Sequence, residues 1–482
     1  MRVLIRTPEP RCANDIADVL RVFLGALEYT LEAGDGADHI LTVTETRREE
    51  RVYCHARISG GLSGEGENAY SPAPDALVEK RLHKRALKLA VYSAMKAATG
   101  IRPPWGALTG IRPTRLFYAE LRQRKTMEEA ERDIQALFDL REDKAALLRE
   151  IVGIQRLFPD PADDEVGLYV GIPFCATRCS YCSFLSGEIG SGKLVEPYVD
   201  ALLTEIEAAE RLIREAGLRV TSVYMGGGTP TALPEGELRR VLERLAPLSA
   251  GQEFTVEAGR PDTITEGKLK AIREAGAKRI SVNPQTAHDE TLRRIGRAHT
   301  TAQTEEAYRM ARDMGFEDVN MDLIAGLPGE NEDMFRETLD WLRGLYPDSV
   351  TVHTLSIKHS SLLHLWQESL PDGDMVGRML DLGRETAHRM GMRAYYLYRQ
   401  KYMAGNLENT AYAQPGCECL YNIRMMEETG HVLALGAGGI SKRVWPDGGR
   451  IRRAPNVGNI EEYIARVDEM VERKRALWLD QG

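Results

Sequence analysis

The first 160 residues mix short strand patterns with amphipathic helical patterns. Apolar runs or alternating apolar and polar positions predict strands at 3–5, 39–46 and 51–58. Apolar positions at helical spacing predict helices at 12–24 and 79–99 and within 126–158. The glycine-rich stretch 60–66 predicts a flexible loop, and the prolines and acids of 159–165 predict a linker. We therefore expect an N-terminal α+β accessory domain over residues 1–160.

A different pattern begins after the linker. Short β-rich apolar runs alternate with helical patterns, and strands are predicted at 168–172, 220–224, 254–256, 279–282, 319–324 and 350–352. Helices are predicted at 195–215, 235–247, 265–275, 302–314 and 333–345. Such alternation is typical of an α/β fold with a parallel sheet. Six steps are fewer than the eight of a complete barrel, so residues 161–360 are predicted to form a partial (β/α)6 TIM-like barrel.

Residues 361–482 are predicted to form an α-rich segment that covers the open side of this barrel. In barrels of this kind the chemistry lies at the C-terminal ends of the strands, which directs attention to the residues that follow each strand.

Composition excludes several classes of protein. Of the 482 residues 43% are hydrophobic and 28% are charged, which is ordinary globular usage rather than disorder or coiled coil. The net charge of −9 argues against a protein built to coat nucleic acid. No apolar run is long enough to span a membrane, and the N-terminus has no apolar signal region, so we expect a cytoplasmic protein.

Two basic regions are candidate binding surfaces for anions. Residues 80–125 hold twelve Lys and Arg residues against one acid, Glu120. This stretch is either a solvated helix face with counter-charges elsewhere or a binding site for an anion. Nucleic acid is not the expected partner, but this stretch is where it would bind. A second candidate rim at the barrel mouth combines three cations with four tyrosines: Arg393, Arg399, Lys401, Tyr395, Tyr396, Tyr398 and Tyr402.

The seven cysteines carry the strongest chemical signal. Cys175, Cys179 and Cys182 fall within eight residues, directly after the first predicted barrel strand. This spacing lets one short loop aim three thiolates at one point, which indicates a metal or cluster site. Zinc would need a fourth ligand, which Cys417 or Cys419 could supply. Electron-transfer iron–sulfur clusters use four cysteines, so a cubic cluster held by three would keep one iron open to another ligand.

Several motifs in order resemble one family. The segment Tyr169–Cys182, with Tyr181 before the last cysteine, is similar to the signature of radical S-adenosylmethionine (SAM) enzymes. Over residues 165–440 the chain resembles the oxygen-independent coproporphyrinogen III oxidases, also called coproporphyrinogen dehydrogenases. The further motifs fall at successive strand ends: Gly226, Gly227, Gly228, Thr229, Glu257, Gln285, Arg297 and Asp322. The N-terminal extension and the segment 398–406 resemble the longer branch of that family.

The resemblance implies a [4Fe–4S] cluster on Cys175, Cys179 and Cys182, with SAM on its open iron. It implies cofactor-binding roles for Tyr169, Tyr181, Gly226, Gly227, Gly228, Thr229, Glu257, Gln285, Arg297 and Asp322. Glycines allow close backbone approach to the methionine amino group, and carboxylates accept hydrogen bonds from ribose hydroxyls. A guanidinium group can hold the methionine carboxylate bidentately.

The implied activity is the oxygen-independent oxidative decarboxylation of coproporphyrinogen III. A SAM-derived 5′-deoxyadenosyl radical would remove a propionate hydrogen, and loss of carbon dioxide and one electron would leave a vinyl group, giving protoporphyrinogen IX. The implied partners are a tetrapyrrole and a one-electron donor such as flavodoxin or ferredoxin. A heme-binding delivery protein and a radical SAM enzyme that modifies tRNA remain alternatives.

Some residues depart from the family pattern or are expected to be structural. Gly171 stands where the family often has histidine, and Phe184 where one branch has a further cysteine, which leaves the number of bound SAM molecules open. His353, His359 and His364 are interpreted as structural residues.

Overall fold

The computed structural model describes the chain apart from residues 33–35, 111, 185, 359–360, 366–370, 401–402, 446–449 and 480–482, and the side chain of His364. It divides into two compact units, Met1–Arg149 and Glu150–Gly482. The division into domains at residues 160 and 360 stays a prediction. Within the described residues, no helix combines the length and the apolar character needed to cross a membrane.

The first unit contains a five-stranded sheet with strand order β2-β1-β3-β4-β5. Its strands are β1 (Arg2–Arg6), β2 (Glu28–Thr30), β3 (His39–Arg48), β4 (Arg51–Gly60) and β5 (Gly64–Tyr70). Its helices are α1 (Ala13–Leu24), α2 (Ala76–Thr99), α3 (Thr114–Leu121), α4 (Met127–Phe138) and α5 (Glu142–Gln155), the last of which continues into the second unit. The three predicted strands and the helices predicted at 12–24 and 79–99 are present, and the helical pattern within 126–158 corresponds to α4 and α5.

The glycine-rich stretch that was expected to be a flexible loop is largely strand, so that prediction is wrong. β4 extends to Gly60 and β5 starts at Gly64. A Cβ on Gly66 would lie 2.4 Å from the Ala94 nitrogen of α2, and one on Gly64 would lie equally close to the Ala94 oxygen. The glycines therefore let α2 pack tightly on the sheet, which is a packing role rather than a source of flexibility.

The second unit is built on an eleven-stranded sheet with strand order β14-β15-β13-β12-β11-β10-β9-β6-β16-β17-β18. The six predicted strands are confirmed as parallel neighbours: β6 (Glu165–Ile172), β9 (Arg219–Gly227), β10 (Glu253–Gly259), β11 (Arg279–Val282), β12 (Asp318–Ala325) and β13 (Ser349–Thr354). Two short strands after β6, β7 (Phe174–Cys175) and β8 (Gly187–Glu188), pair separately.

The helices of this unit cover the outer face of the sheet or lie in its C-terminal part. They are α6 (Val195–Glu215), α7 (Glu235–Ser249), α8 (Glu266–Glu274), α9 (Asp289–Arg294), α10 (Thr301–Asp313), α11 (Glu332–Leu345), α12 (Leu362–Leu365), α13 (Gly373–Arg389), α14 (Leu420–Glu427), α15 (Ile460–Ala465) and α16 (Val467–Leu479). The five helices predicted between the barrel strands are all present.

The C-terminal segment also contributes five strands that the sequence pattern did not predict. They are β14 (Arg393–Tyr398), β15 (Asn409–Ala413), β16 (His431–Leu435), β17 (Ile440–Val444) and β18 (Ile451–Pro455). β16 pairs in parallel with the first barrel strand, and β15 pairs antiparallel with the last. The segment therefore extends the barrel sheet at both edges.

Alternation along the barrel strands separates an apolar outer layer from a polar interior. On β12, Val319, Met321 and Leu323 are fully buried on one face, while Asn320 and Asp322 on the other face line an internal cavity. The same alternation of side chains holds on β11 and β13, as strand geometry requires. The interior of the barrel consequently holds a cavity lined by both polar groups and aromatic rings, such as those of Tyr224, Tyr396 and Tyr398, rather than a packed apolar core.

Candidate functional site

A cavity of about 430 Å³ begins at the cysteine loop and extends into the barrel interior. It brings together nearly all of the residues predicted for the site: Tyr169, Cys175, Cys179, Tyr181, Cys182, Gly227, Gly228, Thr229, Glu257, Gln285, Arg297 and Asp322. Gly226 alone among the predicted residues is absent from the lining. The strand-end rule thus located side chains that come from six different strands or the loops after them.

The cysteine loop leaves the first barrel strand through β7. The Thr229 hydroxyl lies 3.7 Å from the Cys175 sulfur, and the Cys182 amide donates to the Cys179 carbonyl at 3.1 Å. Burial raises the pKa of the Cys182 thiol, so binding of a metal or cluster has to displace a proton there. In the described residues, no three His, Cys, Asp or Glu side chains converge closely enough to hold one metal ion.

The glycine triplet provides space beside the loop. A Cβ on Gly228 would lie 2.6 Å from the Phe174 carbonyl oxygen, and Gly227 has a φ of 108°. A Cβ on Gly226 would lie 2.5 Å from a carboxylate oxygen of Glu257. Gly226 therefore acts on the cavity indirectly, because its missing side chain makes room for Glu257.

Two carboxylates line the cavity, Glu257 beside Gly226 and Asp322 on β12, and they differ in pKa. Burial raises the pKa of Glu257 to about 7, the charge of Asp322 adds to this rise, and a hydrogen bond from the Tyr224 hydroxyl opposes it. Burial alone would raise the pKa of Asp322. The nearby His353 and a 2.8 Å hydrogen bond from the Asn320 side-chain amide outweigh burial and hold this pKa below the usual value. One carboxyl is therefore ionised at neutral pH while the other titrates there.

The segment after β11 presents two unusual polar residues, Asn283 and Gln285. Gln285 has a φ of 69°, which is uncommon for a residue other than glycine, and its backbone bonds to β12 on both sides. Its side-chain oxygen and that of Asn283 are buried without a hydrogen-bond partner in the described structure. Such strain and unpaired polarity are typical of ligand-binding positions.

Arg297 is a buried cation with no carboxylate partner among the described residues. Its guanidinium donates to the Tyr181 hydroxyl at 3.2 Å and to the Asn283 carbonyl at 2.7 Å. The residue is 7% exposed, and within the described part of the chain it forms no ion pair with a carboxylate. A buried guanidinium in this state can receive a carboxylate from a ligand.

Several cavity residues were missed or interpreted differently from the sequence. His353, expected to be structural, lines the cavity with its Nε2 3.7 Å from Asp322 and its Nδ1 3.3 Å from the Tyr398 hydroxyl. The position of His353 near the end of a barrel strand could have identified it from the sequence as a site residue. His359 and the side chain of His364 lie outside the described residues. Tyr421 of α14 stacks on Tyr224 with ring centroids 4.7 Å apart, and its buried hydroxyl has no partner among the described groups.

Two other candidate ligands lie at the wrong end of the barrel. The Cys417 carbonyl accepts from Arg279, the first residue of β11, and the Cys419 sulfur lies 3.4 Å from Glu253, the first residue of β10. The cysteine loop follows the opposite, C-terminal ends of the strands. Cys417 and Cys419 are therefore excluded as ligands to a site on that loop.

The prediction of a second basic rim at the barrel mouth is also wrong. Arg399 is 3% exposed and donates to the Asn406 carbonyl at 2.6 Å, because its chain turns inward after β14. Arg393 begins β14 and so lies at the N-terminal end of the strands. Tyr396 and Tyr398 line the cavity, Tyr395 is buried, and Lys401 and Tyr402 lie outside the described residues.

In the first unit, many cations of the 80–125 stretch have local acidic partners. Lys84 pairs with Asp15, Lys96 and Arg102 pair with Asp139, and Lys125 pairs with Glu120 and Asp133. These pairs favour the interpretation of this stretch as a helix surface with counter-charges.

The comparisons with known proteins agree with this geometry. Residues 169–342 match the model of the radical SAM superfamily. The structure resembles that of coproporphyrinogen III oxidase HemN from Escherichia coli, described as a radical SAM enzyme, with a TM-score of 0.50 and 24% identity over 64% of this chain and 71% of that one. The fold and the site thus define a radical SAM protein.

Two relatives narrow this class. The oxygen-independent coproporphyrinogen-III oxidase-like protein HemZ of Bacillus subtilis is 35% identical over 97% of this chain and 95% of its own length. The heme chaperone HemW of Escherichia coli is 29% identical over 60% of this chain and 72% of its own length. The chain belongs to the radical SAM family of oxygen-independent coproporphyrinogen-III oxidase-like proteins, and its cofactors are a [4Fe–4S] cluster and SAM.

The residues present fit these cofactors. The cavity offers three thiols on one loop and the backbone of Gly227 and Gly228 at its wall. It also offers a buried guanidinium and the buried amide oxygens of Asn283 and Gln285, none of which has a carboxylate or hydrogen-bond donor, respectively, as a partner among the described side chains. Each group complements a part of SAM or of an open cluster.

Proposed function

We propose that this protein converts propionate side chains of coproporphyrinogen III to vinyl groups without oxygen, forming protoporphyrinogen IX. Cys175, Cys179 and Cys182 would hold the cluster and leave one iron open. The main support for the proposal is one continuous cavity. It starts at these three cysteines, passes the residues expected to bind the cofactors, such as Glu257, Arg297 and Asp322, and continues into the barrel interior. Such an arrangement brings a substrate carbon within reach of a cofactor bound at the strand ends.

When bound, the two cofactors supply an electron and a radical that removes hydrogen from carbon. The chain's residues bind and orient. The Gly226–Gly228 backbone would receive the methionine amino group, with Tyr169, Tyr181 and Thr229 beside it, and Arg297 would hold the carboxylate. Glu257 and Asp322 would accept hydrogen bonds from ribose hydroxyls, and the Gln285 amide would complete the set.

Substrate would occupy the cavity beyond these residues. That part is lined by groups outside the cofactor set, including Asn320, Thr351, His353, Tyr398 and Tyr421. A propionate-bearing pyrrole edge is the part of the tetrapyrrole that has to enter, because the reaction takes place on one propionate at a time. Enclosure by barrel strands on several sides excludes water, which protects a reactive carbon radical.

An anaerobic assay tests the proposal. The full chain, reconstituted with iron and sulfide, would receive a reductant, SAM and coproporphyrinogen III. We expect 5′-deoxyadenosine, carbon dioxide and a product with vinyl groups, and none of these from Cys179→Ala. Failure of the reconstituted wild type to cleave SAM would refute the proposal. The electron donor, which we expect to be flavodoxin or ferredoxin, can then be compared with the chemical reductant.

A second candidate function is heme binding and delivery, and the similarity to the heme chaperone HemW favours it. His353, Met425 and Met426 line the cavity and are side chains able to ligate heme iron. SAM cleavage without vinyl formation, together with stoichiometric heme binding, would select this candidate over the oxidative decarboxylation.

A further inference from the structure

Arg260 is a buried cation that the cofactor-binding set does not include. It follows the end of β10, three residues after Glu257, and is 2% exposed although it lies in a loop. Gly259 before it has a φ of 65°, so the chain turns sharply between the two residues. Burial of a charged side chain at such a position requires specific partners.

The guanidinium divides its donors between two partners. Nε and Nη2 donate to the two carboxylate oxygens of Asp262 at 3.0 and 2.7 Å. Nη1 donates to the Thr177 carbonyl at 3.1 Å and to the Thr177 hydroxyl at 2.6 Å. Thr177 lies between the first and second cysteines of the triplet, so Arg260 connects the end of β10 to the cysteine loop.

The loop is held from a second side by the turn after α9. The Thr177 hydroxyl donates in turn to the Gly296 carbonyl at 3.0 Å, and the Ser180 amide donates to the Ile295 carbonyl at 2.9 Å. A Cβ on Gly296 would lie 3.0 Å from the Arg178 carbonyl oxygen, so this turn packs directly against the loop. Thr177 is thus the point at which both supports meet.

The charge arrangement keeps Arg260 in this geometry. Burial raises the pKa of Asp262, but its bonds with Arg260 outweigh this and hold the pKa below the usual value. His299 lies 3.8 Å from Asp262, and burial together with Arg297 lowers its pKa to about 4. His299 is therefore neutral near pH 7 and does not compete as a cation for Asp262.

We propose that Arg260 is a positioning residue that, through Thr177, fixes the conformation of the cysteine loop and thereby the retention and electronic state of its cluster. Arg260 and Thr177 both line the cavity, and the hydrogen bonds of Arg260 in the described structure go to Asp262 and Thr177, so it acts on the cysteines through the loop. Residues that orient metal ligands commonly determine both metal affinity and redox behaviour. The inference rests on the proposed assignment of Cys175, Cys179 and Cys182 as cluster ligands.

The test compares Arg260→Gln, Arg260→Lys and Thr177→Val in the full chain, each reconstituted anaerobically. Arg240→Gln is the control variant, because this partly exposed arginine of α7 also forms charged hydrogen bonds with side chains, those of Asp200 and Glu237, but does not line the cavity. The measurements are iron and sulfide per chain, the rate of iron loss to a chelator, the EPR spectrum of the reduced cluster with and without SAM, and the midpoint potential of the cluster.

We expect Arg260→Gln to lose iron about tenfold faster than wild type, since hydrogen bonds to a charged group are lost. Its reduced EPR spectrum and midpoint potential should shift. Thr177→Val should change both in the same direction, and Arg260→Lys should fall between, because it keeps the charge without the fork. Arg240→Gln should match wild type.

Wild-type iron loss, EPR spectrum and potential in both Arg260→Gln and Thr177→Val would overturn the inference. If Arg260→Gln does not fold, Thr177→Val decides alone, since it changes one half-buried hydroxyl to an isosteric methyl group. Failure of the underlying ligand assignment would look different: wild type would hold no cluster, or Cys179→Ala would hold as much as wild type.

Discussion

The carboxyl group of Glu257 makes the affinity for SAM depend on pH in a way that can be calculated. Its pKa lies at about 7 against an ordinary value of 4.5. A carboxyl group accepts hydrogen bonds from ribose hydroxyls more strongly when it is ionised, so bound SAM should favour the charged form. Below pH 7 the free protein carries a proton on Glu257, and binding must release it.

The size of the effect follows from the ionised fraction. At pH 6 about one Glu257 in eleven is ionised, and at pH 8 about ten in eleven, so this group alone should weaken SAM binding about tenfold between pH 8 and pH 6. That change equals about 1.4 kcal/mol of binding free energy. Proton release on binding should be about 0.9 per SAM at pH 6 and about 0.1 at pH 8 from this residue.

Anaerobic isothermal titration calorimetry of the cluster-loaded protein, in buffers of different ionisation enthalpy, measures both the affinity and the protons released. The amino group of SAM titrates in the same range, so the decisive quantity is the difference between wild type and Glu257→Gln. The variant should lose the contribution of Glu257 and keep that of the amino group. Tyr224→Phe should move the midpoint of the Glu257 contribution to higher pH, because the Tyr224 hydroxyl now lowers that pKa. Equal pH dependence in wild type and Glu257→Gln would refute the reasoning.

Further predictions concern other parts of the second unit. Lys474 Nζ lies 2.5 Å from the buried carboxylate of Glu205, so Lys474→Met leaves that carboxylate without its cation. The free energy of unfolding in urea should fall by about 3–5 kcal/mol, and a fall of less than about 1 kcal/mol would contradict this. Gly226→Ala should weaken SAM binding at least about tenfold with unchanged iron content, because its Cβ meets a carboxylate oxygen at 2.5 Å. Arg297→Lys should also weaken SAM binding about tenfold in calorimetry, since the fork is lost. Cys417→Ser should leave the iron content unchanged, and loss of iron would reinstate it as a ligand.

The barrel and its strand-end residues were predictable because their signals are local. Predicted runs of three to six residues mark the six parallel strands, and Glu257, Gln285 and Asp322 follow or lie within such runs. The inward-facing polar residues of the same strands were less visible. Asn320 and Thr351 look like interruptions of an apolar run, and only the alternation of strand side chains turns them into cavity walls.

The C-terminal strands were missed for a different physical reason. β15 is buried at every position, and its pairing with β13 joins residues about sixty positions apart in the chain. Such pairing leaves no short-range pattern, because β propensity reflects the surroundings of a strand as much as its residues. Arg260 was missed for a related reason: an arginine that directly follows a strand is usually a solvated loop residue, and its burial depends on Thr177 in another loop.

The contacts around the cavity explain why the C-terminal segment forms part of the site. Arg279 at the start of β11 forms a buried ion pair with Asp318 and donates to Ser349 at 3.0 Å, which ties the N-terminal ends of three strands together. Tyr421 of the C-terminal segment lies against this part of the cavity, stacked on Tyr224. Tyr421 also belongs to a cluster of buried side chains with Tyr224, Tyr395 and Tyr396, so hydrophobic packing and the strands added at both edges together hold the segment against the cavity. The segment is therefore a wall of the cavity, and removing it should open the cavity at the end opposite the cysteine loop.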